Sequence, residues 1–349
     1  MDSGGAELQQ TLLARALVRA GWSVSMAVLD LGQQEGAQWD GVMTFGTYRP
    51  DEGIPIVRFL HPRWSKIWQA LRRANADVYY TSTAGMHLGL LALFCQRYRK
   101  RFVYRSSHDN DFEPDKLRRR VPYLRDRLLF QYGLRRAKTV LVQSRKQADL
   151  LRQNFGLNSE LTRPFVDDRE HTNSGWDEKD IDVLWVSNIR QFKRPDLAVE
   201  LAERLSDYRV HIVGGPVKNH EALYQEIVRR SDALPSAVFH GKVPYTKTKS
   251  LFNRSKLFVN TSDQEGFPNT FLQSWLSGAP VLTLFDPDSI VAREGLGVSG
   301  SSIDELEREA RDILENQERW GILSKHCAEF VHDRYGEGTV LSPYVRALI

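Results

Sequence analysis

A chain of 349 residues exceeds one ordinary hydrophobic core and fits two domains of roughly 150 to 180 residues each. Hydrophobic residues make up 41% and charged residues 26%, a globular balance that excludes a disordered or fibrous protein. The two cysteines, Cys95 and Cys327, lie far apart and predict no disulfide framework, which favours a reducing compartment. The longest strongly apolar stretch, Leu88 to Cys95, is too short to span a membrane, and the first five residues do not resemble a signal peptide. We therefore expect a cytoplasmic protein.

The net charge of +4 is unevenly shared between the two halves. Residues 1–167 contain 26 Lys or Arg and 16 Asp or Glu, a net charge of +10, so the remainder, with 22 and 28, carries −6. Much of the excess lies at residues 97–101, 116–120 and 125–138. Such a face suits anionic lipid headgroups, a polyphosphate-bearing acceptor or nucleic acid, and a solvated helix surface is the alternative. We favour peripheral contact with anionic lipid at the inner face of the plasma membrane, and no nucleic acid.

In the first half, helical apolar spacing alternates with short β-rich runs, which predicts a parallel sheet with helices on both faces. The predicted helices are Leu8–Ala20, Trp64–Ala74 and Leu88–Tyr98. The predicted strands are Trp22–Leu29, Ile54–Phe59, Asp77–Thr81, Phe102–Ser106 and Thr139–Gln143. Ligands of such sheets bind beyond the carboxyl ends of the strands, so each strand-to-helix junction is a candidate contact.

The polar stretch Pro164–Asp180 lacks periodicity and is predicted to link the domains. A second α/β pattern follows, and two similar domains in tandem predict a cleft between them. Its predicted strands are Ile181–Val186, Val210–Val213, Ala237–His240, Leu257–Asn260 and Pro280–Leu284, and its predicted helices are Asp196–Leu205, Thr246–Asn253 and Pro268–Leu276.

The stretch from Asp263 to Gln273 follows one of these strands and leads into a helix. Gly266 allows close approach of a ligand to the backbone, and free amides near a helix start favour a phosphate or sugar hydroxyls. The available amide donors are those of Gly266, Phe267, Asn269 and Thr270, because Pro268 has none. The carboxylate of Glu265 is suited to accept hydrogen bonds from sugar hydroxyls. A capped turn with an exposed glutamate is the alternative.

Residues 265–280 resemble the motif of family 4 of the retaining glycosyltransferases, which have the GT-B fold and build bacterial polysaccharides and lipid-linked sugars. The motif usually has two glutamates eight positions apart, followed by a small-residue turn and Pro-Val. Here Glu265 is the first, Gln273 occupies the second place, and Ser277–Val281 supplies the turn. The resemblance implies that Glu265 approaches the donor sugar and that Gln273 hydrogen-bonds the ribose without charge.

Residues 185–195 resemble the family's first loop of the second domain, where an arginine and a lysine hold the diphosphate. Lys193 matches the lysine. Asn188 stands where the arginine is usual, so Arg190 or Arg194 is expected to supply the second charge. Alternatively, Lys193 and Arg194 lie on the first turn of a helix and do not bind phosphate. Gly214, which follows the predicted strand 210–213, completes the predicted donor-binding residues of this half.

Two features of the first half extend the resemblance. Gly4 and Gly5 resemble the family's Gly-Gly-Ala-Glu loop, which faces the donor phosphates and sugar. His108 resembles the histidine at a strand end that lies near the transferred sugar and contributes to catalysis or acceptor positioning. A structural role is the alternative for this histidine. Members normally have an apolar strand before the diglycine loop, and we expect this central first strand to be missing here.

Two Asp-x-Asp sequences, at residues 109–111 and 286–288, look like the metal motif of the other large glycosyltransferase fold. Turn formation is the better interpretation of both. The resemblance implies transfer without metal or another cofactor, with cationic side chains and helix ends offsetting the phosphate charge.

The sequence thus predicts an α/β protein of the GT-B fold with two Rossmann-like domains. Residues 1–165 form the acceptor domain, residues 175–330 the donor domain, and residues 331–349 a helix packing back on the first. The predicted activity is retaining transfer of a sugar from a nucleoside-diphosphate sugar to a hydroxyl of an oligosaccharide or lipid-linked acceptor. Alternatives are a catalytically degenerate nucleotide-sugar-binding subunit, another GT-B activity such as epimerisation, and a nucleic-acid-binding protein that uses the basic half.

Overall fold

Three sheets, with strands that are parallel except for one hairpin, organise the computed structural model of this chain. It describes residues 5–54, 57–82, 84–167, 172 and 174–349. The chain divides into two units, which we call unit 1 (Met1–Phe165 with Glu337–Ile349) and unit 2 (Val166–Gly336). Each unit has its own hydrophobic core.

Unit 1 alternates helices with strands, as its sequence pattern predicts. Its strands form a three-stranded sheet of order β1-β3-β2 and a four-stranded parallel sheet of order β4-β5-β6-β7. In chain order the elements are α1 (Gly5–Arg19), β1 (Ser25–Val28), β2 (Gln38–Trp39), β3 (Val42–Gly46), α2 (Ser65–Ala74), β4 (Val78–Ser82), α3 (Met86–Tyr98), β5 (Arg101–Arg105), α4 (Pro114–Arg120), α5 (Leu124–Leu134), β6 (Thr139–Val142), α6 (Arg145–Phe155) and β7 (Glu160–Leu161).

The predicted strand Ile54–Phe59 is wrong for its described residues. Val57 and Arg58 lie in a turn, and Phe59–Trp64 is a helical segment that runs directly into α2. A hairpin of β2 and β3 was not predicted. At its turn Asp40 and Gly41 have φ values of 48° and 80°, the left-handed conformation that an Asp-Gly pair adopts readily.

The two sheets of unit 1 are separate within the described residues, where α1 is the first element and no strand precedes it. The only described partner of β1 is β3, and that of β4 is β5. The core of the four-stranded sheet is built by aromatic and aliphatic side chains of α3, α4 and α5, among them Phe94, Leu117 and Phe130. These side chains share one cluster with Tyr79 of β4 and with Phe102 and Tyr104 of β5.

Unit 2 contains one six-stranded parallel sheet of order β10-β9-β8-β11-β12-β13, with helices packed on it. The bounds of β8 and β9 are those predicted. In chain order the elements are β8 (Ile181–Val186), α7 (Pro195–Arg204), β9 (Val210–Val213), α8 (Glu221–Asp232), β10 (Ala237–Gly241), α9 (Tyr245–Arg254), β11 (Ser255–Asn260), α10 (Asn269–Leu276), β12 (Val281–Thr283), α11 (Ile290–Arg293), β13 (Gly297–Ser299), α12 (Ile303–Glu315) and α13 (Gln317–Tyr335).

The last helix, α14 (Glu337–Leu348), belongs to unit 1. The ring of Tyr344, buried in α14, lies 5.3 Å from that of Phe165 and 6.3 Å from that of Tyr80. Glu337 at its start pairs with Arg19 at the end of α1. No helix in the described parts of the chain is long and apolar enough to cross a membrane.

Two histidines on neighbouring strands of unit 2 predict loss of stability in acid. Nε2 of His240 lies 3.0 Å from Nδ1 of His211, and the side chain of His211 is buried. Burial, followed by the charge on His240, lowers the pKa of His211 to about 4 from 6.5. Between pH 6.5 and pH 4 the unfolded chain therefore binds a proton at His211 and the folded chain does not. The free energy of unfolding then falls as the pH drops through this range, by as much as about 3 kcal/mol.

Urea unfolding across this pH range measures the effect, and His211→Gln is the matched variant. We expect the variant to have a flatter pH profile than the wild type over this window. Equal slopes for the two proteins would contradict the assignment to His211.

Candidate active site

In unit 2 the structure brings Lys193 and Glu265 into contact across 72 positions of sequence. Lys193 ends a 3-10 turn, Gln191–Lys193, that follows β8, and Glu265 lies in the loop after β11. Because β8 and β11 are parallel neighbours, their carboxyl ends meet at one edge of the sheet. Nζ of Lys193 donates to Oε1 of Glu265, and the side chains are 18% and 12% exposed. The site therefore holds a partly buried pair of opposite charges.

Two hydroxyl groups that the sequence analysis missed fix this pair. Oγ of Ser262 donates to Oε1 of Glu265 at 2.9 Å. Oγ1 of Thr261 lies 2.9 Å from the carbonyl oxygen of Lys193 and 2.8 Å from that of Arg194, and it accepts from Nε1 of Trp185. Their position directly after β11 was the signal that would have identified them.

The loop before α10 is anchored by its aromatic residue. The ring of Phe267 lies 6.5 Å from that of Trp275 and 6.1 Å from that of Tyr335, so its side chain packs into the protein. Gly266 is buried, and α10 begins with Asn269 and Thr270. One helical turn later, Gln273 is also buried. The predicted residues 265–273 thus form one continuous segment, which consists of a loop and the first turn of α10.

The other predicted residues of this half lie in the loops after β8 and β9. Asn188 is exposed, and Nε of Arg190 is buried without a hydrogen-bond partner in the described structure. The amide of Gly214 donates to the carbonyl oxygen of Gly241, and its Cα packs closely on the loop after β8. Gly214 therefore sets the distance between the loops after β8 and β9.

Gly214→Ala is predicted to destabilise unit 2. A Cβ at Gly214 would lie 2.4 Å from the carbonyl oxygen of Ser187 and 2.7 Å from Cδ1 of Ile189, so the two loops would have to separate. We expect a loss of about 1–3 kcal/mol in the free energy of unfolding. Gly321→Ala in α13 is the control, because a Cβ there meets no atom within 4 Å. A Gly214→Ala protein as stable as this control would contradict the packing role.

In unit 1, His108 lies just beyond the carboxyl end of β5 and caps a 3-10 turn, Asp109–Asp111. Its Nδ1 accepts from the backbone N–H of Asn110 at 3.1 Å. A ring nitrogen that accepts carries no proton, so in this arrangement the neutral imidazole carries its proton on Nε2. Nε2 is then a hydrogen-bond donor, which suits contact with a sugar hydroxyl or a phosphate oxygen.

The diglycine loop is described only from Gly5, the first residue of α1, and Gly4 lies outside the described residues. The first turns of α1 are fixed to the sheet ends. Nε2 of Gln10 donates to Oγ of Ser82 at 2.7 Å, and Gln9 exchanges two hydrogen bonds with the backbone of Phe165. Since Ser82 pairs with Arg105 in β5, the start of α1 and His108 belong to the same edge of the four-stranded sheet.

Both halves of the chain match family models. Residues 3–169 match Glycosyltransferase Family 4, and residues 166–330 match Glycosyl transferases group 1. This chain is a glycosyltransferase with the GT-B fold. No curated protein sequence matches it significantly.

Solved structures similar to this glycosyltransferase include enzymes and their ligand complexes. Anabaena HepE in complex with UDP and glucose has a TM-score of 0.76 at 16% identity, over 99% of this chain and 96% of HepE. WaaG, a glycosyltransferase involved in lipopolysaccharide biosynthesis, has a TM-score of 0.69 at 15% identity, over 100% of this chain and 97% of WaaG. A TarM mutant of S. aureus, in complex with Fondaparinux, alpha-GlcNAc-glycerol and UDP, has a TM-score of 0.66 at 15% identity, over 82% of this chain. The match covers only 58% of TarM.

The Asp-x-Asp sequences of the glycosyltransferase stabilise turns, as predicted. Asp111 is fully buried and accepts from Tyr104, Ser106, the amide of Ser107 and Arg120. Asp109 pairs with Lys146 and accepts from Nε2 of Gln147. Asp286 accepts from the amides of Val291 and Ala292 in α11. The hydrogen bonds and the ion pairs of Asp109 and Asp111 fix the turn that carries His108. The hydrogen bonds of Asp286 fix the start of α11.

Proposed function

We propose that this glycosyltransferase moves a sugar from a nucleoside-diphosphate sugar to a hydroxyl of an oligosaccharide or lipid-linked acceptor, with retention of the anomeric configuration. The contact between Lys193 and Glu265 beside the start of α10 carries the proposal. It joins a cation for the diphosphate to a carboxylate for the sugar hydroxyls at one sheet edge.

The leaving diphosphate determines what the site has to do. Negative charge grows on its oxygens as the bond to the anomeric carbon breaks, and Lys193 and Arg190 are suited to offset that charge. The buried Nε of Arg190, which has no partner in the described residues, supports a role in ligand binding. Amides at the start of α10, which include those of Asn269 and Thr270, add the positive end of a helix dipole. On this scheme the transfer needs no metal ion.

Retention without a covalent intermediate follows if the acceptor attacks from the face that the diphosphate leaves. A phosphate oxygen then takes the proton of the attacking hydroxyl, and the enzyme contributes mainly position and charge. We propose that Glu265 and the amides of Gly266 and Phe267 hold the sugar, and that Gln273 hydrogen-bonds the ribose. His108, with its proton on Nε2, hydrogen-bonds the transferred sugar or positions the acceptor.

A degenerate nucleotide-sugar-binding subunit is the second candidate. Asn188 stands where the family usually has an arginine, and Gln273 stands where it usually has a glutamate. Both positions therefore lack a charged side chain that would bind the donor. An epimerase remains a further alternative, and it would convert the donor without an acceptor.

A thermal-shift series with UDP, GDP, ADP and their sugars tests the donor site. UDP is the first choice, because HepE and TarM were solved with it. Saturating donor at a hundred times its dissociation constant stabilises the protein by about 2.7 kcal/mol. Lack of any shift with all of these nucleotides would refute the proposal.

Product analysis with labelled donor then separates the candidates. Labelled saccharide with retained configuration supports transfer, altered free sugar supports the epimerase, and binding without turnover supports the degenerate subunit. Undiminished transfer in the presence of EDTA is expected, and loss of transfer that Mg²⁺ restores would contradict metal-independent transfer.

A further inference from the structure

Arg194, directly after Lys193, has a backbone conformation that an arginine seldom adopts. Its φ and ψ are 50° and 54°, in the left-handed region, where a Cβ is unfavourable and glycine is the usual residue. A left-handed residue other than glycine persists only where its surroundings hold it, and such residues are concentrated at functional sites. Contacts of the Arg194 backbone and side chain must therefore offset this cost.

Backbone contacts tie the turn of Lys193 to the loop after β11. Oγ1 of Thr261, which is fully buried, lies 2.9 Å from the carbonyl oxygen of Lys193 and 2.8 Å from that of Arg194. The backbone N–H of Asp263 donates to the carbonyl oxygen of Phe192 at 2.9 Å. Three successive carbonyl groups of the turn are therefore in contact with the start of the loop that carries the glutamate of the pair.

The guanidinium of Arg194 extends the same connection. Its Nε lies 3.1 Å from both carboxylate oxygens of Asp196, and its Nη2 donates to one of them at 2.7 Å. Its Nη1 lies 3.5 Å from Oδ1 of Asp263. Since Asp196 belongs to the first turn of α7, the arginine joins the start of this helix to the loop after β11.

This pairing distinguishes Arg194 from the other arginine of the site. The positive charge of Arg194 faces two carboxylates of the same chain, whereas Nε of Arg190 is buried without a partner in the described residues. A diphosphate that competed for Arg194 would leave Asp196 and Asp263 as unpaired negative charges beside it, and like charges repel. Arg190 therefore suits the diphosphate, and Arg194 suits a connection within the protein.

We propose that Arg194 is a positioning residue of the transfer reaction, which holds the turn of Lys193 against the loop of Glu265 and touches no substrate. The contact between Nζ of Lys193 and Oε1 of Glu265 depends on the distance between these two segments, and the pair of Arg194 and Asp263 bridges them. A displacement of about 1 Å is enough to slow a reaction that depends on position, so loosening the bridge lowers the rate. The inference rests on the proposed function, in which Lys193 and Glu265 act on the donor.

Three substitutions separate the side chain of Arg194 from its backbone conformation. Arg194→Gly removes the ion pairs and relieves the backbone, Arg194→Ala removes only the ion pairs, and Arg194→Lys keeps the charge without the bidentate contact. We expect kcat for sugar transfer to fall by about ten- to a hundredfold in the glycine and alanine variants, and by less in the lysine variant. The donor KM should change less than kcat. The glycine variant should unfold at a higher temperature than the alanine variant, so the loss of rate does not follow stability.

Arg99→Gly is the matched control. Arg99, at the end of α3, is exposed, has a φ of 53° and has no ion-pair partner in the parts of the chain that the structure describes. The substitution therefore relieves the same backbone conformation in unit 1 without removing an ion pair, and kcat should equal that of the wild type. A loss of kcat in this control as large as that in Arg194→Gly would overturn the proposal.

Asp263→Asn distinguishes positioning from direct contact with the diphosphate. If Arg194 acts through the loop, loss of the Asp263 carboxylate lowers kcat as Arg194→Ala does, and the double variant is little slower than the slower single variant. If Arg194 binds the diphosphate, Asp263→Asn frees its charge, and the affinity for UDP in the thermal-shift assay rises. A rise in UDP affinity would overturn the positioning role.

The reactivity of Lys193 gives a measurement that needs neither donor nor turnover. Its side chain is 18% exposed and in contact with Glu265, so acetylation by an amine reagent, followed by mass spectrometry, should be slow at this residue. We expect Arg194→Ala and Asp263→Asn to raise the acetylation rate of Lys193 severalfold and Arg99→Gly to leave it unchanged.

Equal acetylation rates at Lys193 in the wild type and in Arg194→Ala would overturn the proposal, as would wild-type kcat in Arg194→Gly. Failure of the wild type to bind any nucleotide would refute the proposed function. The acetylation rates would then still decide whether Arg194 holds Lys193 in place.

Discussion

Lys193→Met should lower kcat for sugar transfer by about 10²–10³-fold while the fold is retained. The substitution keeps the length of the side chain and removes the charge that we propose to offset the growing charge of the leaving diphosphate, and the expected loss corresponds to about 2.7–4 kcal/mol of transition-state stabilisation. Steady-state kinetics with labelled donor measure the loss. Lys325→Met, at an exposed position of α13, is the matched control and should leave kcat unchanged.

Glu265→Gln extends this prediction to the pair. The amide can still accept from Ser262 but no longer pairs as a charge with Lys193. Because the two side chains are in contact, their effects should not add, and the double variant should be little slower than the slower single variant. Wild-type turnover in either single variant would remove that residue from the active site, and strict additivity would show that the two act separately.

Asp111→Asn should reduce the free energy of unfolding by about 1.5–3 kcal/mol, because it removes the charge of a fully buried side chain that accepts hydrogen bonds, one of them from the guanidinium of Arg120. The carboxylate accepts four hydrogen bonds, the shortest being 2.6 Å from Nη1 of Arg120. An amide has one oxygen to accept and adds two donors to a cluster of donors. Urea unfolding followed by circular dichroism measures the effect.

Asp115→Asn, in α4, is the control, because its carboxylate is exposed and makes only a weak surface ion pair. Its stability should lie within about 0.5 kcal/mol of the wild type. Tyr104→Phe removes a single donor to Asp111 and should cost about 1 kcal/mol. If Asp111→Asn is as stable as Asp115→Asn, the network does not hold the turn of His108.

The sequence predicted the core strands best. Residues 181–186 and 210–213 were assigned with the observed bounds, because fully buried parallel strands consist of almost continuous β-branched and apolar residues. The predicted strand at residues 54–59 was wrong because an apolar run there does not indicate burial. Two of its apolar side chains, Ile54 and Val57, are exposed. The missed hairpin had a signal in Asp40-Gly41 that was not used.

The candidate site was predictable in its residues but not in their contacts. Motif resemblance indicated Lys193 and Glu265 separately, whereas their contact depends on β8 lying next to β11, a pairing that sequence spacing does not reveal. Phe267 was predicted as an amide donor, and the sequence did not show that its ring anchors the loop on Trp275 and Tyr335. The roles of the predicted residues in binding remain predictions.

Unit 1 consists of two stretches of chain separated by the whole of unit 2, and this has a consequence during synthesis. Residues 166–336 form a continuous stretch, so unit 2 can fold as soon as α13 leaves the ribosome. Most of unit 1 is translated first, but it lacks the buried Tyr344, and Glu337 that pairs with Arg19, until α14 has been synthesised. The order of translation is therefore not the order in which the two units finish folding.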